Sequence, residues 1–382
     1  MAGLYVHVPF CAKRCIYCDF YSGTNMAYKD GYLSALIHEM EMRRDYLRGE
    51  QINTVYFGGG TPSRLNVCDF ERVFDAVYRL FSLARKPEIT IEVNPDDLSD
   101  EYVLSLTKMP FNRISVGVQS FSDEDLRLLN RRHTAAEAVN AIHRCKDAGY
   151  DNISIDLMYG LPGQTVDGWA DNIGKAVALD IPHISAYNLT YEEGTLIDGK
   201  RKRGEIQPAE DELCESFFYL LTDRLADADF IHYEISNFAK RSPSYPDGRI
   251  SVHNSSYWNG THYMGIGPSA HSCDGDTRSW NVSSVTEYVD AINEKAEIPH
   301  EMEYLDERTK YNDFVITRLR TIRGISLDEL RTAFGEERER HFLKKSEPFI
   351  SSKKLKVEGE NVKVTRDGFF ISDSIMRELI VL

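Results

Sequence analysis

Tyr5-Val6-His7-Val8-Pro9-Phe10-Cys11-Ala12-Lys13-Arg14-Cys15-Ile16-Tyr17-Cys18-Asp19-Phe20 holds three of the chain's seven cysteines within eight positions, spaced C-x3-C-x2-C. The apolar alternating run Leu4 to Val8 just before it reads as a strand. A thiolate cluster in one loop at a strand's end predicts a metal site. Three soft ligands suit zinc or an iron–sulfur cluster. Structural zinc usually takes four protein ligands. No second pair follows, because Cys68, Cys145, Cys214 and Cys273 stand alone. Three thiolates on a four-iron cluster leave one iron open to another ligand.

Working outward, 382 residues suit one large domain and a small one. Hydrophobic content of 42% and charged content of 27% are those of an ordinary globular chain that can bury a core. A net charge of −15 argues against nucleic acid or an anionic membrane as the main partner. No signal peptide or integral membrane segment is visible. Seven cysteines, three in one tight cluster, fit a reducing cytoplasm better than an exported, disulfide-bonded chain.

Strands are expected at Ile52–Phe57, Glu88–Pro95 with a turn at its end, Arg113–Gln119, Asn152–Met158 and His183–Leu189, separated by helices. One helix opens on a capping box, Thr134-x-x-Glu137. With the first strand, the alternation makes six parallel β/α units, an incomplete (β/α)6 barrel. Chemistry in such barrels sits at the C-terminal ends of the strands. The cysteine loop, Gly58-Gly59-Gly60, Glu92 with Asn94, Gln119 and Asp156 all fall there. Residues 191–208 read as a loop. Residues 236–302 form an extension rich in His, Asn, Trp and Tyr, and the barrel is assigned to 1–235. Residues 303–382 read as helices followed by a hairpin around Gly359, a small winged-helix-like accessory domain.

The cysteine spacing, with Tyr17 before the third cysteine, resembles the radical S-adenosylmethionine (SAM) superfamily. Tyr5-x-His7-x-Pro9-Phe10-Cys11, Gly58-Gly59-Gly60-Thr61-Pro62, Gly117-x-Gln119-Ser120-Phe121 and Asp156-Leu157-Met158-Tyr159-Gly160-Leu161-Pro162 are similar, in order, to the oxygen-independent coproporphyrinogen III oxidase family. The resemblance implies a [4Fe-4S] cluster on Cys11, Cys15 and Cys18, with SAM chelating the fourth iron and yielding a 5′-deoxyadenosyl radical on reduction. It also implies SAM contacts from Tyr5, Gly59, Gly60, Thr61, Glu92, Gln119, Arg131, Asp156 and Thr190. A flavodoxin- or ferredoxin-type electron donor follows from the family alone. Bland alternatives stand beside these roles. The glycines can be a tight strand-to-helix turn, and Arg131-Arg132 a solvated pair.

Two features place the chain nearer the haem-chaperone (HemW-like) branch of that family. Oxidases continue the motif to a fourth cysteine, where this chain has Phe20. His253-Asn254-Ser255-Ser256-Tyr257-Trp258 is similar to that branch's H-N-x-x-Y-W. An imidazole at His253 is a known type of haem ligand, and Tyr257 and Trp258 can flank a flat apolar ring. His271 and Cys273 are rival ligands. Packing within the core is the plain alternative for His253 and Trp258. The resemblance thus implies haem as cargo, delivered to a respiratory haem protein, without turnover of coproporphyrinogen. The alternative is radical decarboxylation of coproporphyrinogen III to protoporphyrinogen IX.

Overall fold

The computed structural model describes residues 1–381. Strands β1 (Ala2–Val8), β2 (Ile52–Gly59), β3 (Leu83–Val93), β4 (Arg113–Gln119), β5 (Ile153–Tyr159) and β6 (His183–Asn188) stand side by side in chain order, all parallel. Helices α1 (Lys29–Met42), α2 (Val67–Leu80), α3 (Asp100–Leu106), α4 (Asp123–Leu128), α5 (Ala135–Asp147) and α6 (Val166–Ala178) fill the crossovers. Capping boxes start α2 (Asn66 with Asp69) and α5 (Thr134 with Glu137), each satisfying two otherwise orphaned backbone donors. Leu4, Val6, Val55, Phe57, Ile91, Ile114, Val116 and Ile155 alternate along their strands and pack outward under the helices. The other parity, Tyr5, Tyr56, Glu92, Gly117 and Asp156, lines the barrel interior.

The segment expected to be loop carries α7 (Leu196–Lys202). Thr195 caps it, Asp198 pairs with Arg201 and Lys202, and the Ile197 amide donates to Ile16 O. Seven mostly polar residues show no periodicity in sequence, so this helix depends on its cap and its seat on the cysteine loop. Next come α8 (Asp211–Asp227), β7 (Phe230–Glu234), β8 (Asn237–Lys240), α9 (Val252–Trp258), β9 (Tyr263–Ile266), β10 (His271–Cys273), β11 (Thr277–Asn281), α10 (Val285–Lys295) and β12 (His300–Tyr304). These strands extend both edges of one open twelve-stranded sheet. β8 and β7 follow β6 antiparallel, while β9 adds parallel to β1 and β10 to β12 continue from it. The sheet does not close on itself.

One buried carboxylate ties the β9 edge to the barrel. Glu39 of α1 is fully buried and pairs with Arg43 at 3.0 Å. It also accepts from the Gly267 amide, Asn281 Nδ2 and the Tyr288 hydroxyl, at 2.9, 2.8 and 2.6 Å. The last segment holds α11 (Glu307–Leu319), β13 (Ile325–Ser326), α12 (Leu327–Ser351), β14 (Leu355–Glu358), β15 (Asn361–Val364), α13 (Arg366–Phe369) and α14 (Ser372–Leu379). Its three short strands pair in the order β13-β15-β14, giving helices with a hairpin wing. Gly335, at φ 82°, breaks α12 into two helical parts. Among the described residues no helix is long and apolar enough to cross a membrane.

Removing the Glu39 carboxylate leaves the Arg43 charge unpaired, though still bonded to Gly265 O and Ser272 Oγ, and leaves the Gly267 amide and the Tyr288 hydroxyl without an acceptor in the core. Glu39→Ala is expected to lower unfolding free energy by about 3–5 kcal/mol, read from the urea midpoint. A loss under about 1 kcal/mol, the range of a surface pair, would show that the seam is held elsewhere.

Candidate functional site

The cysteine loop is stitched to the strands beneath it by backbone hydrogen bonds. Cys11 N donates to Gly23 O and Gly23 N to Pro9 O, both at 2.8 Å. Gly60 N donates to Val8 O and Thr61 N to Phe10 O, also at 2.8 Å. A Cβ on Gly60 would lie 2.7 Å from Val8 O, and one on Gly59 (φ 102°) would lie 2.6 Å from the His7 ring. The glycines are therefore required by the approach of β1 to β2, independently of any ligand.

Donors converge on the thiols. Thr61 Oγ1 donates to Cys11 Sγ at 3.3 Å and Arg131 Nη1 to Cys15 Sγ at 3.3 Å. Arg131 Nη2 reaches Asn94 Oδ1 and Gly117 O, each at 2.6 Å, and Asn94 Nδ2 returns to Thr61 Oγ1 at 3.2 Å. Gly117 leaves room for this guanidinium, since a Cβ there would sit 3.3 Å from Nη2. Burial pushes the Cys18 thiol up to about 11, and Cys15 and Cys11 are close enough to push it further. Among the described residues, no group of His, Cys, Asp and Glu is arranged to hold a single metal ion. A four-iron cluster takes each thiolate on a different iron. Three thiols in one loop, two of them receiving hydrogen bonds that would stabilise thiolate charge, are a donor set that fits it.

Below the thiols, Tyr56 OH donates to Glu92 Oε1 at 2.7 Å. Burial pushes the Glu92 carboxyl up to about 7, with Asp156 adding repulsion against that hydrogen bond. Burial likewise pushes Asp156 up to about 6, opposed by hydroxyls of Ser185 and Ser115 and by the Arg113 and Arg131 charges. Gln119 ends β4 at φ 67°, a left-handed conformation unusual for a side chain of its size. Tyr5 OH shares a hydrogen bond with His7 Nδ1 at 3.2 Å, and its ring stacks on Tyr56 at 6.1 Å. Thr190 lies two residues beyond β6, exposed, and makes no hydrogen bond among the described residues. The sequence places Asn94 on the rim without naming what it holds, and it gives Tyr56 no site role. The period-2 alternation of β2 and β3 was the signal for Tyr56, whereas Asn94 becomes visible as the residue orienting Arg131 only in three dimensions.

His253 does not reach the cysteine rim. It lies on α9, which plugs the opposite, N-terminal end of the barrel, and it is 2% exposed. Its Nδ1 bonds Thr54 Oγ1 at 2.8 Å and its Nε2 bonds Tyr257 OH at 2.9 Å. Its ring stacks on Tyr56 at 4.7 Å, and burial pushes it down to about 3, so it is neutral. Both nitrogens are therefore occupied, and ligating haem iron would require breaking one of these bonds. Trp258 lies under the Arg320 guanidinium at 5.0 Å, and its carbonyl accepts from Arg318, at the junction with the C-terminal domain. Tyr257 packs edge-on against His253 at 5.1 Å and against Tyr263 at 4.8 Å. Of the rivals, His271 is exposed and stacks on Trp280 at 6.0 Å, and Cys273 is partly buried. Phe20 is 62% exposed beside the cysteine loop.

The model of the radical SAM superfamily matches residues 5–175, and that of the HemN C-terminal domain matches 305–371. The haem chaperone HemW of Lactococcus lactis is 32% identical over 379 residues, covering 99% of this chain and 97% of the relative. HemW of Bacillus subtilis is 33% identical over 339 residues, 88% of this chain and 87% of the relative. Among solved structures, the coproporphyrinogen III oxidase HemN of Escherichia coli, a radical SAM enzyme, superposes with a TM-score of 0.85. It covers 99% of this chain and 90% of its own at 24% identity.

Both interior carboxyls hold protons in the folded state where the unfolded chain has released them. Their contribution to stability is full below the ordinary carboxyl values near pH 4 and is lost as pH rises through about 6 to 7. Glu92→Gln, which keeps an acceptor for Tyr56, is expected to stabilise the metal-free protein at pH 8 by about 1–2 kcal/mol and to change little at pH 5. Thermal midpoints at the two pH values check this, and equal effects at both would place the ionised carboxylate in water.

Proposed function

This chain belongs to the HemW branch of the radical SAM superfamily, and we propose that it binds haem and passes it to a haem-accepting protein, with a [4Fe-4S] cluster and SAM as resident groups. The observation that carries this reading is the end-to-end similarity to chains named haem chaperones. Phe20, where oxidases carry an additional cysteine, points the same way.

Cys11, Cys15 and Cys18 would hold the cluster as thiolates. Thr61 and Arg131 would lend hydrogen-bond donors to two of the sulfurs, which favours the charged ligand form. Asn94 and Gly117 fix the Arg131 fork, leaving it placed to meet a carboxylate. Glu92 and Asp156 would accept from hydroxyl or ammonium donors of SAM, with Tyr5 and Gln119 beside them. When bound, the cluster and SAM together supply one-electron chemistry, with electrons from a flavodoxin- or ferredoxin-type donor. The proposed setting is the cytoplasm, and the proposed recipient is a respiratory haem protein.

Anaerobic reconstitution is expected to load four irons and four sulfides per chain, and Cys15→Ser to lose them while the fold persists by circular dichroism. Arg131→Ala is expected to weaken the effect of SAM on the reduced cluster's EPR spectrum by roughly tenfold in SAM concentration. The reconstituted protein is expected to bind haem in stoichiometric amount and to form no protoporphyrinogen IX from coproporphyrinogen III. Repeated turnover of that substrate would overturn the chaperone reading.

A further inference from the structure

The His253 to Trp258 segment has no part in the cysteine rim, and both nitrogens of its histidine are bonded. Its neighbours give it a role. β2 presents Thr54, Tyr56 and Gly58 to the barrel interior, because alternate residues of a strand share a face. His253 meets the first two. Its Nδ1 bonds Thr54 Oγ1 at 2.8 Å, and its ring lies on Tyr56 at 4.7 Å with 24° between the planes. Tyr5 flanks the same Tyr56 ring at 6.1 Å and 28°. Gly58 completes the face by leaving room. A Cβ there would lie 2.9 Å from the Tyr56 ring and 3.0 Å from Glu92 Oε1.

This stack ends in the bond from Tyr56 OH to Glu92 Oε1, at 2.7 Å. A phenol hydroxyl lies on the axis of its own ring, so a ring flip leaves it in place and only a swing of the whole ring moves it. Packing by His253 and Tyr5 opposes that swing. The plug that carries His253 is itself held at both ends. Val252 N and His253 N donate to the Glu88 carboxylate at 3.0 and 2.8 Å, and the Trp258 carbonyl accepts from Arg318. Glu88 lies on β3, on the same face as Glu92. Tyr257 OH bonds His253 Nε2 at 2.9 Å and fixes the imidazole from its other side.

We propose that the His253 to Trp258 segment is a positioning element for the SAM pocket: His253, braced by Thr54 and Tyr257, holds the Tyr56 ring, and Tyr56 holds the Glu92 carboxyl where donors of SAM meet it. The inference rests on the reading of Glu92 as a SAM acceptor. It gives the histidine to the cofactor site and leaves the haem iron to another ligand. The electrostatics agree. The Tyr56 hydroxyl favours the ionised Glu92 carboxylate, against burial and the Asp156 charge. Tyr5 from β1, Tyr187 from β6 and Tyr257 from α9 also face Glu92, and burial pushes all three above the ordinary phenol range, so they stay neutral. The Arg113 and Arg131 charges act on Asp156.

The test is the response of the reduced cluster's EPR spectrum to added SAM in the full-length reconstituted protein, titrated at several pH values around neutrality. Tyr56→Phe keeps the stacked ring and removes the hydroxyl. It is expected to raise the SAM concentration at half response about tenfold. It is also expected to move the pH midpoint of that response upward, because Glu92 then holds its proton more tightly. His253→Ala removes the stack and is expected to cost roughly threefold. His253→Gln keeps polar partners for Thr54 and Tyr257 without a ring, and is expected to cost the same even where the alanine variant folds poorly. Because His253 acts through the Tyr56 hydroxyl, adding His253→Ala to Tyr56→Phe is expected to weaken the response no further. Losses that add would show that His253 bears on the pocket by another route, and an unchanged SAM response in both His253 variants would show that it does not bear on it; either overturns the proposal. Haemin titration of the His253 variants is expected to leave the Soret band as in wild type, and a shifted band would make His253 a haem ligand and overturn it too. If wild-type protein gives no response to SAM, the SAM reading itself is wrong and the inference falls with it. A wild-type response that the variants leave untouched removes the inference alone.

Discussion

The close approach of the Gly58–Gly60 backbone to β1 is the constraint from which the site follows. Gly60 and Thr61 donate their amides to Val8 and Phe10, the residues that lead directly into Cys11. That ladder sets the height of the cysteine loop above the barrel and brings the Thr61 hydroxyl onto Cys11 Sγ. A side chain at either Gly59 or Gly60 would collide with His7 or with the β1 backbone. These glycines therefore set the position of the cysteine loop through steric fit and backbone hydrogen bonds.

The interior chemistry is one of charges held in a dry place. Arg131 is fixed by Asn94, Gly117 and Cys15, while Glu92 and Asp156 hold protons more tightly than usual because burial disfavours their anions. Burying these groups costs stability, and a ligand that brought a carboxylate and hydrogen-bond donors would offset that cost. The opposite end of the barrel is treated differently. There His253 is neutral and bonded on both sides, Thr54 and Tyr257 satisfy it, and Tyr56 stacks on it, which makes a plug. Tyr56 thus touches both ends, bonding Glu92 with its hydroxyl and packing His253 with its ring.

The open sheet explains how the accessory parts are carried. β9 extends β1 and β8 extends β6, so the segment after the sixth strand grips both edges. Glu39 secures one edge from inside the core. The C-terminal domain meets the other side through the Ile235–Arg320 and Tyr233–Ile322 backbone bonds and through Arg318 and Arg320 around Trp258. Trp258 lies at a junction between domains, a role that neither its residue type nor its motif suggests.

The sequence by itself determined the six parallel units, the rim on which the cysteines, Glu92, Gln119 and Asp156 stand, and the hairpin wing, because periodicity and turn residues act locally along the chain. Caps such as Thr134 with Glu137 were legible for the same reason. Only the tertiary structure decided which end of the barrel receives His253, because α9 and β2 are about 200 positions apart and meet through the Thr54 hydroxyl. It alone made α7 a helix, through the Ile197 contact with the cysteine loop, and gave Asn94 its hold on Arg131. A motif such as His253 to Trp258 states which groups are available. Whether a lone pair is free is set by neighbours, and both ring nitrogens of His253 are taken by Thr54 and Tyr257.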